Sequence, residues 1–147
     1  MKFSELAHFL PKQKEATKVA DSHAYTLFGG SAGPGKSYWL RWYSIRRLIK
    51  WHLQTGLIGI RAGLFCEDYP SLKDRHISKM QYEFPRWLGE LKDSKADGLA
   101  FHLSESFGKG IIALRNLDDP SKYLSSEFAL IAVDELTKDE RSVFDIL

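Results

Sequence analysis

Residues Gly30-Ser31-Ala32-Gly33-Pro34-Gly35-Lys36-Ser37 fit the pattern G-x-x-x-x-G-K-[ST] in full. The spacing has a chemical reason. Glycines let the backbone curl until several N–H groups converge on one point, which suits phosphate oxygens. A helix beginning near Lys36 aims its positive end at the same point. The Lys36 ammonium can reach β- and γ-phosphates, and the Ser37 hydroxyl is placed to ligate Mg²⁺. The whole run, residues 30–37, is thus a candidate cradle for the triphosphate of ATP with magnesium.

A second acidic motif lies about one hundred residues on. The apolar run Phe128-Ala129-Leu130-Ile131-Ala132-Val133 ends in Asp134-Glu135. A hydrophobic strand of this kind carries its terminal carboxylates to the sheet edge where ligands bind in open α/β folds. Asp134 is the second metal candidate, holding Mg²⁺ through water. Glu135 is the catalytic candidate that orients or deprotonates an attacking water, and Lys36 the one that stabilises charge developing on the transferred phosphoryl group.

Other residues carry two readings each. Gln13 offers an amide that can read an adenine edge, or is a solvated helix glutamine. Trp39, Trp42 and Trp51 read as packing rather than base stacking. Arg41, Arg46, Arg47 and Lys50 read as a solvated helix face, with a DNA track as the alternative. Arg61, Arg75, Arg115 and Lys122 could each supply positive charge to a γ-phosphate, or be plain surface charges. Cys66 reads as a buried strand residue.

The elements that must position these groups follow from apolar spacing and from Gly and Pro. Residues 2–20 read as helical pieces broken around Pro11. Residues 24–28 read as a strand running into the glycine loop, and 36–54 as a helix stopped at Gly56. Residues 59–66 form a second strand candidate. Ser71 can cap a helix reaching about Phe84, which Pro85 ends. Residues 99–104 and 111–117 flank Gly108-Lys109-Gly110 as a β-hairpin. After the strand 128–133, Thr137 can cap a last helix to Leu147. The order is strand, helix, strand, helix, hairpin, strand, helix, which predicts an α/β fold with a mainly parallel sheet.

Composition sets the outer bounds. The 147 residues suit one domain, 44% are apolar and 27% charged, and the net charge is +2, so any nucleic-acid site has to be a local patch. The one cysteine rules out an internal disulfide and fits a reducing cytoplasm. The five histidines show no metal-ligand spacing, and no run reaches the length of a membrane span.

With Pro11-x-Gln13, FGGSAGPGKS (28–37), Arg61 on a strand, Tyr69-Pro70-Ser71-Leu72, a Gly-turn hairpin, LRNLDDPSKY (114–123) and FALIAVDEL (128–136), the chain resembles the N-terminal ATPase domain of phage large terminase subunits. These are motors that pump DNA into empty capsids. The likeness runs from about Pro11 to Leu136. It implies a three-layer P-loop NTPase fold over residues 1–147, incomplete at the C-terminus, with neither nuclease domain nor nuclease activity. It also implies an adenine-contacting role for Gln13, Mg-ATP, double-stranded DNA, a portal protein, a small terminase subunit and a homo-oligomeric ring. Two departures stand out. The arginine that many such proteins carry inside the phosphate loop is replaced by Ser-Ala-Gly-Pro-Gly. The arginine given to a neighbour's ATP has only Lys122 or Arg115 as nearest candidates. A helicase-type nucleic-acid-dependent ATPase and a non-catalytic nucleotide-binding fragment are the rival expectations.

Overall fold

The computed structural model describes residues 7–22, 34–116 and 128–134. A proline in the first turn of a helix sacrifices no bond, because its missing N–H would have no partner there. Both long helices begin this way: α1 spans Pro11–Ser22 and α2 spans Pro34–Thr55. Pro11 therefore opens a helix instead of breaking one. α2 stops at Gly56, whose φ of 74° is the left-handed conformation that closes helices. Gly59, expected to start a strand, is a second left-handed turn residue with φ 70°, and the strand begins two residues later.

The strands are β1 (Arg61–Cys66), β2 (Gly89–Ser94), β3 (Gly98–Leu103), β4 (Ile111–Asn116) and β5 (Leu130–Val133), in the order β2-β3-β4-β1-β5. β1 runs parallel to β4 and β5. β3 runs antiparallel to both β2 and β4. The sheet is thus mixed, not mainly parallel. The expected β3–β4 hairpin is present, and a second hairpin turning at Gly98 (φ 66°) adds β2 to its outer side. Among the described residues β5 is an edge strand, not a central one.

Between β1 and β2 the chain forms α3 (Tyr69–Leu72), a π-helical turn (Lys73–Ile77) and α4 (Ser78–Glu83). The cap is Asp68, whose Oδ1 accepts from Ser71 N at 2.8 Å, so Ser71 is the capped residue and not the cap. The π turn has a packing reason. Leu72, His76, Met80 and Phe84 are all buried, a strict four-residue repeat. An α-helix turns about 100° per residue, so such a repeat drifts about 40° at each step. One wider turn recovers the line.

Alternation along β1 sends Ala62, Leu64 and Cys66 to one face. There they share a core with Trp42, Ile45 and Leu48 of α2, with Leu72, Met80 and Phe84, and with Phe101, Leu103, Ile112, Leu114 and Ala132 of the other strands. The edge of Trp42 meets Phe84 with ring centroids 4.7 Å apart. On the opposite face Gly63 leaves room for Phe65 and Phe128, whose rings stand edge to face at 5.9 Å. The second helical layer of a three-layer fold is not among the described residues. The expected strand 24–28, Gly30, Ser31, Ala32, Gly33, the segment 117–127, Glu135 and the helix 138–147 all lie outside them. No described helix is long and apolar enough to cross a membrane.

Candidate functional site

Three parallel strands end side by side at Cys66, Asn116 and Val133, and the next residue after β5 is Asp134. Its backbone N–H bonds to Phe65 O at 2.8 Å, which continues the ladder and fixes where the carboxylate emerges. Asp134 has the same parity as Ala132, so it points to the helix-covered face, where it is 2% exposed. Facing it is the first turn of α2. Ser37 Oγ donates to Asp134 Oδ2 at 2.6 Å across 97 residues of sequence. Lys36, half-buried, sits beside Ser37 in that turn.

A second donor reaches the same oxygen. His76 Nε2 lies 2.8 Å from Asp134 Oδ2, and Arg41 Nη1 lies 3.2 Å from His76 Nδ1. A guanidinium can only donate, so Nδ1 accepts. The ring proton is therefore on Nε2, which donates to Asp134. Arg41 also donates to Arg75 O at 2.5 Å and forks onto Glu83, with Nε to Oε2 at 2.8 Å and Nη2 to Oε1 at 2.7 Å. Ser37 and Arg41 are one turn apart on α2, which puts them on one face. The result is a continuous chain, Glu83–Arg41–His76–Asp134–Ser37.

Electrostatics agree with that assignment. Burial pushes the His76 imidazole below its ordinary 6.5, with Arg41 and Arg75 acting the same way against the pull of Asp134. Burial alone would raise the Asp134 carboxyl, but the bonds from His76 and Ser37 and the charge of Arg75 outweigh it and hold it below 3.8. Asp134 is ionised and His76 neutral. Both bonds fall on Oδ2, and no described residue donates to Oδ1.

Two metal sets can be weighed on this geometry. Cys66, His76 and Asp134 each offer a ligand atom, all within 4.8 Å of one another. Binding through His76 Nε2 would move the ring proton to Nδ1, facing the N–H of Arg41 donor to donor. The set therefore does not suit a soft, thiolate-binding metal. The hydroxyl of Ser37 and the carboxylate of Asp134 are hard oxygen donors and fit Mg²⁺.

Gln13 lies at the same end of α2. It is 4% exposed, which removes the solvated reading. Its Nε2 donates to Gly35 O at 2.8 Å, and its Oε1 accepts from Leu10 N at 2.7 Å. A Cβ on Gly35 would stand 3.3 Å from Gln13 Nε2, closer than carbon normally approaches. A side chain at position 35 would make the amide give by a few tenths of an ångström. Pro34, Gly35, Lys36 and Ser37 are thus brought together with Gln13 and Asp134.

The basic residues divide. Arg41 is buried, not solvated, because Glu83 and His76 neutralise its desolvation. Arg46 and Arg47 pair with Asp21 at 2.7 and 3.3 Å, and Lys50 stands 4.0 Å from the same carboxylate. Arg61 pairs with Asp97, and Arg115 bonds to Leu99 O and Leu114 O at 2.9 Å and to Asp97 O. These contacts hold Arg61 and Arg115 at the β2–β3 turn. Arg75 is the candidate whose charge bears on Asp134. Lys122 lies outside the described residues.

His76 and Glu83 are the site residues that sequence reasoning missed. The available signal was the repeat 72–76–80–84, in which a histidine occupies a core position. No protein-family model, curated protein or solved structure matches the chain.

Proposed function

We propose that this chain binds and hydrolyses Mg-ATP as the motor domain of a viral DNA-packaging large terminase subunit. The observation that carries the nucleotide part is the 2.6 Å bond between Ser37 and Asp134. The residue after the motif lysine and the carboxylate ending an apolar strand meet as a phosphate-and-magnesium site requires. In this reading Lys36 and the backbone N–H groups opening α2 bind the β- and γ-phosphates. Ser37 and Asp134 hold magnesium, which when bound neutralises charge on those phosphates. By the sequence likeness, Gln13 offers its second amide hydrogen to an adenine edge. Glu135 orients and deprotonates the attacking water. The motor part rests on the sequence likeness: ATP turnover drives double-stranded DNA into a procapsid in the host cytoplasm, by a ring of like subunits working with a portal protein and a small terminase subunit.

Calorimetry with Mg-ATP tests the first part. The chain should bind, and Lys36→Ala should abolish binding while leaving the fold intact. Glu135→Ala should keep binding and lose about 10²- to 10⁴-fold in turnover. A well-folded chain that binds no nucleotide would overturn the reading. Stimulation of turnover by duplex rather than single-stranded DNA separates the packaging motor from a helicase-type enzyme.

A further inference from the structure

We infer that His76 is a positioning residue for the magnesium carboxylate: held in one tautomer by Arg41, it fixes Asp134 through Oδ2 and leaves Oδ1 for the metal. The inference rests on the Mg-nucleotide reading of Ser37 and Asp134.

The chain of bonds runs one way. Arg41 donates to His76 Nδ1, and His76 Nε2 donates to Asp134. Turning the ring over would point C–H groups at both partners, so the imidazole has one acceptable orientation. Arg41 cannot swing away, because Glu83 grips it in a fork and Arg75 O takes a further hydrogen. The π turn holds His76 on the buried line between Leu72 and Met80. The ring is fully buried, so no water competes for Nε2–H.

Two donors on Oδ2 are not equivalent. Ser37 is itself a metal candidate: its hydroxyl would bind through an oxygen lone pair and keep its proton, so its bond to Oδ2 moves with the metal. The bond from His76 does not depend on the metal. It keeps the carboxylate aimed whether or not Ser37 shifts. Partners that orient a ligand in this manner are typically worth about 10- to 100-fold in metal affinity.

The test compares His76→Leu with His76→Gln. Leucine fills the space and donates nothing. The glutamine Nε2 amide can occupy the place of the ring Nε2 and restore the donor. Nucleotide binding is measured by calorimetry across a magnesium titration and again in chelator, beside thermal melting. The leucine variant should lose about 10- to 100-fold in magnesium affinity with chelator-phase nucleotide binding unchanged, and the glutamine variant should recover most of it. A purely structural role would lower melting in both variants without moving magnesium dependence, and that result overturns the inference. Wild-type binding that ignores magnesium would instead overturn the reading of Ser37 and Asp134. If the leucine variant does not fold, ¹⁵N NMR of the wild-type ring decides. A protonated Nε2 with an accepting Nδ1 is expected, and the opposite tautomer sinks the proposal.

Discussion

The parallel and antiparallel halves of the sheet bury different things. β1, β4 and β5 end at a sequence of polar groups in which each donor meets an acceptor, from Glu83 through Arg41 and His76 to Asp134 and Ser37. β2 and β3 close instead over Phe84, Leu88, Phe101 and Leu103; Glu90 and Lys92 face water, while His102 keeps a buried Nε2 with no partner among the described residues. The hairpin half gains stability in proportion to apolar area. The site half keeps buried charge only because every member is paired, so removing one leaves its neighbours with unmet bonds.

The largest test of this contrast is Arg41→Ala. It strands His76 Nδ1 and Glu83 and should cost about 3 to 5 kcal/mol, read from urea unfolding. A loss under about 1 kcal/mol would mean that the polar chain is ornamental. Leu88→Ala, in the hairpin half, should cost about 2 to 5 kcal/mol through its cavity. Where that variant still folds, its magnesium and nucleotide affinities should equal those of the wild type. A shift in either affinity would show that the halves are coupled. Gly108→Ala should cost upward of about 1 kcal/mol, because φ is 95° and the new Cβ meets the His52 ring. It too should leave nucleotide binding alone.

The smallest effect is expected at Asp21, on the α1–α2 seam. Burial would raise this carboxyl, but bonds from Arg46 and Tyr43 and the charge of Lys50 outweigh it and hold it below 3.8. A depressed folded value means that the unfolded chain binds the proton more readily. The Asp21 contribution is therefore full above about pH 3.8 and fades as pH falls through the folded value. Asp21→Asn should lower stability at neutral pH and converge with the wild type in acid, and high salt should narrow the gap. Equal stability at all pH values would show that this half-exposed cluster contributes nothing.

Sequence reasoning reached the elements whose signals are local. The helix expected over 36–54 is found at Pro34–Thr55, and the runs at 59–66, 99–104 and 111–117 become β1, β3 and β4 nearly in place. β2 escaped because GELKDS has no apolar run; its one buried residue is Gly89, and register with β3 defines it. Without β2 the sheet read as mainly parallel, whereas it is mixed. In the site, Ser37 and Asp134 were singled out by the motifs around them, and their side chains meet in the structure. Arg41 was not, since one more basic residue on a basic helix face looks solvated until Glu83, 42 positions away, arrives beside it. His76 was hidden for the same reason. Its meaning depends on a π turn, which leaves no mark in composition.

That turn makes the segment sensitive to chain length in an unusual way. A π turn is in effect one residue inserted into an α-helix. Removing one residue from 73–75 would restore a regular helix with Leu72 and Met80 seven residues apart, about 700° or within about 20° of one face, so both stay in the core. His76 would then fall three residues after Leu72, about 60° off that line, and lose its place between Arg41 and Asp134. A single-codon deletion here should therefore spare the core and break the polar chain.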